Sequence, residues 1–292
     1  MKNDKVRIAN MNLWDAYIAG KELYESRVQK EYEQSELSYM FEECFGCDKH
    51  LLILNKEKPA PEEGVKKLFS MIERRASGEP IQYILGKWYF MGLEFKVGKG
   101  VLIPRDDTEV LVRESINYLR NVDNAKIIDL CSGSGAVAVC MGQNLKNAEI
   151  TAVELSDEAY DYLTENIENN GSKVKAVKDD VAVACERFEN NYFDAVLSNP
   201  PYIPSKDINY LQAEVQKEPR MALDGGEDGL YFYRIICEKW SKKIKRGGIL
   251  AVEIGIGQGK DVKQIFEHNG FKNITIYKDI NNIDRVVVGE RI

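Results

Sequence analysis

The front of the chain carries apolar residues at the spacing of amphipathic helices. Leu37, Met40, Phe41 and Cys44 recur at intervals of three and four residues, which places them on one helical face. Two further sets repeat this spacing: Leu13, Trp14, Tyr17 and Ile18, and Val65, Leu68, Phe69 and Ile72. The pattern predicts a small helical bundle over residues 1–80.

The period changes from helical to alternating over residues 81–104. Leu93, Phe95 and Val97 alternate with charged residues, after an aromatic run over residues 88–90. Alternation next to a glycine-containing turn is typical of a β-hairpin. We predict that this stretch is a hairpin linker.

From about residue 105 onward, apolar runs alternate with helical stretches. The runs are Lys126–Leu130, Ile150–Val153, Val174–Val177, Phe193–Leu197, Ile249–Ile254, Ile274–Tyr277 and Arg285–Val288. Helical stretches between the first five predict a parallel sheet that is covered on both faces. The last two runs are joined by Lys278–Asp284, which is too short for a parallel crossover, so they should pair antiparallel. Residues 105–292 are therefore predicted to form an α/β, Rossmann-like domain with a seven-stranded, mostly parallel sheet and an antiparallel last strand.

A glycine-rich loop follows the first strand of this domain. Gly133 and Gly135 let the main chain turn tightly and let a ligand approach it closely. The second strand ends at Glu154, whose carboxylate is placed to accept hydrogen bonds from both hydroxyls of a ribose. After the third strand, Asp180 is placed to accept from an adenine amino group and Val181 to pack on the ring. These loops follow adjacent strands at their carboxyl ends, where open sheets bind ligands.

The candidate cofactor-binding residues are Asp129, Cys131, Ser132, Gly133, Ser134, Gly135, Glu154, Asp180, Val181 and Asn199. This pattern fits a nicotinamide dinucleotide as well as S-adenosylmethionine, and the glycines alone would also fit an ordinary strand-to-helix turn. The choice between these cofactors depends on the fourth strand.

The fourth strand runs directly into Asn199-Pro200-Pro201-Tyr202-Ile203. An amide nitrogen attacks a methyl group poorly, because its lone pair is delocalised into the carbonyl. The side-chain oxygen of Asn199 and the carbonyl of Pro200 can each accept one N–H and favour the transition-state geometry. The prolines lock the main chain, and Tyr202 offers a flat face to a planar amide. We predict Asn199, Pro200, Pro201 and Tyr202 as catalytic residues and Asn199 to Ile203 as substrate-binding residues, although Pro-Pro is also an ordinary strand terminator.

Charge and hydropathy weaken several other classes of function. The 292 residues carry a formal net charge of −7, which disfavours a phosphate backbone as the main partner, since such binding needs clustered cations. No apolar run approaches about 18 residues, so we expect no membrane span, and the first twenty residues show no secretory signal. We expect a cytoplasmic monomer with reduced thiols.

Cys44 and Cys47, with His50 close behind, form the remaining metal or redox candidate. A tetrahedral zinc site needs four ligands, and no second pair follows at a suitable spacing. A redox pair belongs at a strand-to-helix turn, whereas this pair ends a helical pattern. We predict no metal site, and with His50 and His268 as the only histidines the sequence disfavours a histidine-based mechanism.

Taken together, these motifs resemble those of a known family, the protein-(glutamine-N5) methyltransferases that modify peptide chain release factors. The matching segments are Asn199-Pro200-Pro201-Tyr202, residues 78–86, residues 100–109, Glu218-Pro219-Arg220, residues 222–226, Asp228-Gly229-Leu230, Glu253-Ile254-Gly255 and residues 284–287. The resemblance covers residues 78–290 and implies a class I S-adenosylmethionine-dependent methyltransferase. Its implied substrate is the glutamine of the Gly-Gly-Gln loop of class-1 release factors, so the reaction would support translation termination. The resemblance also implies that the helical front domain and the hairpin help to hold the release factor.

Three residues depart from the usual family pattern. Asp106 stands where proline is usual, and Cys131 replaces a small glycine in the cofactor loop. Glu154 stands where aspartate is commoner, which keeps the carboxylate and lengthens its reach. None of these changes touches the Asn-Pro-Pro-Tyr group, so the catalytic prediction stands.

The main alternative is an amino methyltransferase that acts on adenine in a nucleic acid, because an exocyclic amine is conjugated in the same way. Such an enzyme has to flip the base and normally needs a basic groove, which a net charge of −7 does not favour. A non-catalytic nucleotide-binding partner would not need an intact Asn-Pro-Pro-Tyr group beside an intact glycine loop. A nicotinamide-dependent reductase would need an acid or base for its substrate, and the sequence suggests none.

Overall fold

A computed structural model describes residues 10–28 and 35–292 of the chain. The predicted absence of a secretory signal concerns, in part, residues 1–9, which lie outside the described residues. Within the described ranges, no helix is both long enough and apolar enough to cross a membrane.

The chain divides into two compact units, and each unit is made of two separate stretches of the sequence. The units are Met1–Gly86 with Ala213–Lys217, and Lys87–Gln212 with Glu218–Ile292. The first unit therefore takes in five residues that lie far downstream in the sequence.

The first unit is helical, as its apolar spacing predicts. Its helices are α1 (Leu13–Arg27), α2 (Ser35–Phe45), α3 (Lys49–Asn55), α4 (Glu62–Ala76) and α5 (Ile81–Leu85). Leu37, Met40 and Phe41 of α2 are buried, and they share one core with Val65 and Leu68 of α4. The helical period at these positions thus identifies the core-facing side correctly.

The buried face of α1 differs from the predicted one. Trp14 and Ile18 are exposed, whereas Ala16 and Gly20 are buried. A Cβ atom on Gly20 would lie 2.9 Å from Cδ2 of Leu68, so the missing side chain lets α1 approach α4 closely. Apolar spacing identified Leu13 correctly but missed Ala16 and Gly20, because these two positions are buried through their small size.

A buried arginine links three parts of the first unit. The side chain of Arg75 is 1% exposed, and its guanidinium donates to both carboxylate oxygens of Glu36, at 2.6 and 2.9 Å. Its Nη2 also lies 3.0 Å from Oε2 of Glu214, in the downstream segment. The hydroxyl of Tyr24 donates to Glu36 at 2.8 Å. Each buried charge therefore has a partner, which a buried ion needs in order not to destabilise the fold.

Cys44 and Cys47 are free thiols in this unit. Burial raises the pKa of Cys44 to about 11 and also raises the pKa of Cys47, so both thiols stay protonated near neutral pH. The thiol of Cys44 donates to Sδ of Met71 at 3.5 Å. In the part of the chain that the structure describes, no group of three or more His, Cys, Asp or Glu residues could hold a metal ion.

The second unit begins with a hairpin, formed by β1 (Lys87–Phe90) and β2 (Leu93–Lys96). The hairpin is shorter than the predicted stretch 81–104, because Ile81–Leu85 form helix α5 of the first unit. The sheet strands are β3 (Lys126–Leu130), β4 (Glu149–Glu154), β5 (Lys175–Lys178), β6 (Phe193–Ser198), β7 (Ile244–Glu253), β8 (Phe271–Lys278) and β9 (Asp284–Arg291). The helices are α6 (Glu109–Leu119), α7 (Ala136–Asn144), α8 (Asp157–Asn169), α9 (Tyr231–Trp240) and α10 (Gly259–His268). The strand order is β5-β4-β3-β6-β7-β9-β8, and β9 runs antiparallel to both of its neighbours. This confirms the predicted α/β class, with a seven-stranded, mostly parallel sheet and an antiparallel last strand.

Both faces of the sheet are covered. One apolar cluster contains residues of α6 and α7, and the other contains residues of α9 and α10. Burial on two sides explains why the central strands are nearly continuous apolar runs.

One predicted helix is absent from the described residues. The connection from β5 to β6 contains only a short 3-10 turn, Ala184–Arg187. Aromatic side chains fill this region, with the rings of Phe188 and Trp240 6.0 Å apart, and the indole N–H of Trp240 donates to the carbonyl of Val181 at 2.9 Å. A large side chain from α9 thus takes the place that a helix would occupy.

The buried arginine gives a stability test of the first unit. Arg75→Leu leaves the Glu36 carboxylate buried without its cation, so we expect it to lower the free energy of unfolding by about 3–5 kcal/mol. The neighbouring Arg74 pairs with Glu79 at the surface, with side chains 43% and 30% exposed, so Arg74→Leu should cost less than about 1 kcal/mol. Urea unfolding followed by circular dichroism measures both variants. Equal effects would contradict the structural role given to Arg75.

Candidate active site

A cavity of about 260 Å³ lies at the carboxyl ends of β3, β4, β5 and β6. It is lined by these predicted site residues: Asp129, Cys131, Ser132, Gly133, Ser134, Glu154, Asp180, Val181, Asn199 and Pro201. Gly135, Pro200, Tyr202 and Ile203 do not line it. The cavity occupies the point from which the sheet grows in both directions, because β3 pairs with β4 on one side and β6 on the other.

Asp129 places a buried carboxylate in this cavity. The residue is 1% exposed, and its Oδ2 has no hydrogen-bond partner among the residues that the structure describes. Burial raises its pKa from 3.8 to about 7. The raised pKa means that the free protein loses stability as the pH rises through about 7, unless a cation binds. A ligand ammonium group is the kind of partner that this carboxylate lacks.

The Glu154 carboxylate joins the loop after β3 to the loop after β4 through hydrogen bonds. Its Oε2 accepts from the main-chain N–H of Gly133 at 2.8 Å, and its Oε1 accepts from those of Leu155 and Ser156, at 2.9 and 2.8 Å. Three main-chain donors hold the carboxylate in one orientation before any ligand arrives. Oε2 has a single protein donor, so it retains capacity for a ligand hydroxyl.

The loop between β3 and α7 contains two unusual backbone positions. Cys131 has a φ of 57°, in the left-handed region that favours glycine. This geometry suits the glycine that the family resemblance implies at this position. Burial raises the pKa of the Cys131 thiol, which therefore stays protonated. Gly135 has a φ of 84°, and a Cβ atom there would lie 2.6 Å from Cδ1 of Leu163, so this glycine serves the packing of α7 against α8.

The loop after β5 presents one carboxylate and one apolar side chain. Asp180 uses Oδ1 to accept from the main-chain N–H of Ala182 at 2.8 Å, which leaves its other oxygen for a ligand. Val181 is 6% exposed and lines the cavity. This combination suits the amino edge and the face of a purine ring.

The main chain of Asn199 to Ile203 is held from the far side by residues 223–229 and Gln258. The N–H of Ile203 donates to Leu223 O at 2.9 Å, and the N–H of Gly225 donates back to Ile203 O at 2.8 Å. Nε2 of Gln258 donates to Tyr202 O at 2.9 Å. A Cβ atom on Gly225 would lie 2.7 Å from Cα of Tyr202, so only glycine permits this approach. The loop is therefore fixed by more than its two prolines.

The side chain of Asn199 is oriented by a chain of hydrogen bonds. Its Nδ2 donates to Oγ1 of Thr108 at 3.1 Å, and that hydroxyl donates to Oε2 of Glu253 at 2.5 Å. Among the described residues, no donor approaches Oδ1 of Asn199 or the carbonyl oxygen of Pro200. Two acceptors therefore stand side by side without protein donors, beside the cavity.

The side chain of Tyr202 contacts Glu253 and the apolar core. Its hydroxyl donates to Oε1 of Glu253 at 3.4 Å, and its ring packs against the apolar cluster on the α9 and α10 face. Burial raises the pKa of Tyr202, so the phenol stays protonated.

Three residues of the site received no role from the sequence: Thr108, Glu253 and Gln258. Thr108 lies next to the first residue of α6, and Glu253 ends β7, the strand beside β6. Position at the carboxyl end of a central strand is a signal that applied to Glu253 as well as to Glu154. Nothing comparable marked Thr108 or Gln258.

Two family models match the chain. One is described as the PrmC N-terminal domain and matches residues 22–86, and the other is described as the methyltransferase small domain and matches residues 107–227.

Named relatives cover most of the chain. A release factor glutamine methyltransferase of Geobacter sulfurreducens is 39% identical over 94% of this chain and 92% of its own length. One of Thermodesulfovibrio yellowstonii is 42% identical over 75% of this chain and 79% of its own. A crystal structure of a protein-(glutamine-N5) methyltransferase (release factor-specific) from Alicyclobacillus acidocaldarius is 30% identical, covering 68% of this chain and 99% of that chain with a TM-score of 0.43.

The unpaired carboxylate gives a test by ligand binding alone. Asp129→Asn removes a charge-assisted hydrogen bond worth about 1.5–3 kcal/mol, so the affinity for S-adenosylhomocysteine at pH 8 should fall by about 10- to 100-fold. In the wild type, the affinity should weaken as the pH falls through about 7, because protonation removes the negative charge. Isothermal titration calorimetry from pH 6 to 8 measures both effects.

The control is Asp123→Asn, at an exposed position, which should leave the affinity and its pH dependence unchanged. If the affinity of the Asp129→Asn variant followed the same pH curve as the wild type, the role given to Asp129 would be wrong.

Proposed function

Because the chain belongs to the family of release factor glutamine methyltransferases, we propose that it methylates the N5 amide nitrogen of the glutamine in the Gly-Gly-Gln loop of class-1 release factors. Its class as an S-adenosylmethionine-dependent protein-glutamine methyltransferase follows from that family and from its sheet. The loop, the site residues and their roles are the parts that we infer. The observation that carries the proposal is the pair of unpartnered acceptors, Asn199 Oδ1 and Pro200 O, beside a cavity that contains a carboxylate with one unpartnered oxygen, Asp129 Oδ2.

The residues around the cavity fit the methyl donor. S-adenosylmethionine supplies a methyl group on a positively charged sulfonium. Asp129 has the free acceptor that its ammonium group requires, and Oε2 of Glu154 has room for a ribose hydroxyl. The free oxygen of Asp180 and the side chain of Val181 suit its adenine. Each part of the donor thus has a group of matching chemistry at the end of a different strand.

Asn199 and Pro200 act on the substrate amide. A primary amide offers two N–H groups, and the two oxygens accept one each, which fixes the orientation of the nitrogen toward the cavity. Acceptors held in this way stabilise the pyramidal nitrogen of the transition state more than the planar ground state. Pro200 and Pro201 carry no N–H that could compete for the amide carbonyl. As the N–C bond forms at the expense of the donor's S–CH3 bond, the nitrogen releases one proton to bulk water, and the two negatively polarised oxygens that accept its N–H groups favour that release.

The remaining parts of the chain suit this task. We propose that residues 1–80 recognise the release factor and that residues 105–292 catalyse the methyl transfer. Residues 81–104 would link these two parts of the chain. The family model over residues 22–86 supports a dedicated role for the helical part. We also propose a cytoplasmic monomer, since release factors work on ribosomes and one chain carries every proposed site residue.

A labelling experiment tests the substrate. Radiolabelled S-adenosylmethionine is incubated with the protein and a class-1 release factor, the same factor with the glutamine of its Gly-Gly-Gln loop replaced, or DNA. We expect label on the unaltered factor alone. Label on DNA alone would favour the adenine methyltransferase, and equal label on both factors would place the target outside the loop.

Asn199→Ala tests the two-acceptor mechanism. Removing one of the preorganised groups should lower kcat by about 100- to 1,000-fold, while the affinity for S-adenosylhomocysteine changes by no more than about three-fold. Asn117→Ala, at an exposed position of α6, is the matched control and should behave as the wild type. Turnover of the Asn199→Ala variant within a few-fold of the wild type would rule out the amide clamp.

A further inference from the structure

Thr108 stands between the proposed amide clamp and a buried carboxylate. Thr108 is 5% exposed and lines the cavity, and Glu253 is 1% exposed. The threonine hydroxyl lies 3.1 Å from Nδ2 of Asn199 and 2.5 Å from Oε2 of Glu253. These three residues come from the start of α6 and the ends of β6 and β7.

The hydroxyl proton of Thr108 decides the orientation of the Asn199 amide, because it is the only proton that Thr108 can share between Asn199 and Glu253. A hydroxyl has one proton to donate, and an ionised carboxylate can only accept. Once Thr108 donates to Glu253, its oxygen has only lone pairs left for Asn199. The amide of Asn199 must then turn its NH2 group toward Thr108 and its oxygen away from it. A flipped amide would present two donors to the two donors of the substrate amide.

We propose that Thr108 and Glu253 are positioning residues that determine which end of the Asn199 amide faces the substrate. The inference rests on the proposed function, in which Asn199 accepts from a glutamine amide. It adds that the acceptor is selected by Thr108, which lines the cavity, and by Glu253, which does not, through the Asn199 side chain.

The surroundings of Glu253 keep this arrangement in place. The hydroxyl of Tyr202 donates to Oε1 at 3.4 Å, so each carboxylate oxygen receives one donor. Thr108 is held by its own main-chain N–H, which donates to Arg105 O at 3.0 Å. The titratable and charged groups that face Glu253 are Asp107, Tyr202, Tyr233 and Arg285.

Protonation of Glu253 would reverse the selection. A neutral carboxyl group donates to Thr108, which frees the threonine proton to donate to Asn199 and draws the amide oxygen toward Thr108. Burial raises the pKa of Glu253 from 4.5 to about 7, so this change falls within the working range of pH. The catalytic rate should therefore fall as the pH falls through about 7, independently of cofactor affinity.

The first test compares two substitutions of one residue. Thr108→Val keeps the branched shape and removes the hydroxyl, so kcat for release-factor methylation should fall by about 100-fold through loss of orientation. Thr108→Ser keeps the hydroxyl and should stay within about three-fold of the wild type. In both variants, the affinity for S-adenosylhomocysteine and the melting temperature show whether the fold and the cofactor site survive. Thr275→Val, at an exposed position of β8, is the matched control.

The second test is the pH profile of kcat at saturating S-adenosylmethionine and release factor. The wild type should lose activity toward low pH, and Glu253→Gln should abolish that limb, whatever its absolute rate, because the titrating group is gone. This measurement keeps the proposal testable if Thr108→Val fails to fold.

The outcomes separate the two proposals. If the wild type did not methylate release factor at all, the proposed function would fail. If the wild type were active and Thr108→Val equally so, or if the low-pH limb persisted in Glu253→Gln, the function would stand and the positioning role would be overturned. Loss in Thr108→Val with recovery in Thr108→Ser and loss of the limb in Glu253→Gln would support it.

Discussion

The parallel pairing of β3 with β6 is the constraint on which the rest of the site depends. Leu130 is paired with Ser198, and the Ser198 hydroxyl also donates to Leu130 O at 2.8 Å. This register brings the loop after Asp129 next to Asn199, although 70 residues of chain separate them. A slip of one residue would turn the side chains of one strand to the opposite face and separate the buried carboxylate from the amide. The apolar runs that fill both faces of the sheet are what forbid that slip.

Much of this architecture could be predicted from the sequence because it follows from burial on two faces. A strand such as β6, covered on both sides, has to be apolar at nearly every position, and such runs are easy to recognise. The predictions failed where the size of a side chain, rather than its hydrophobicity, decides which residues are in contact. Ala16 and Gly20 join Leu13 and Tyr24 on the buried face of α1 because they are small, and Trp240 occupies the space of a helix after β5 because it is large. Neither effect has a period along the chain.

The candidate site also contains some residues that the sequence could propose and others that it could not. Asp129, Glu154 and Asn199 line one cavity, and the sequence could propose them because each lies at the end of a strand and has a chemistry that suits a ligand. Thr108 received no role from the sequence, because its hydrogen bond to Glu253 joins residues 145 positions apart and leaves no pattern along the chain. Glu253 ends a central strand as Glu154 does, but the sequence did not show that it binds Thr108. Gly135 also has a packing role that the sequence did not show, since its missing side chain admits Leu163. Hydrogen-bond direction and close packing are properties of the folded chain, and a motif records only their residue types.

The ion pair between Arg75 and Glu214 affects the order in which the two units fold during synthesis of the chain. Glu214 joins Arg75 across 139 residues of sequence, so the helical unit leaves the ribosome long before its last ion-pair partner is synthesised. At about 5–20 residues per second, the wait is on the order of 10 s. During that interval the first unit has Glu36 for its arginine but not Glu214, and it reaches its final form only after the strands carrying Asp129 and Asn199 have been synthesised. The first unit is thus completed only after most of the second unit has been synthesised, rather than before the second unit begins.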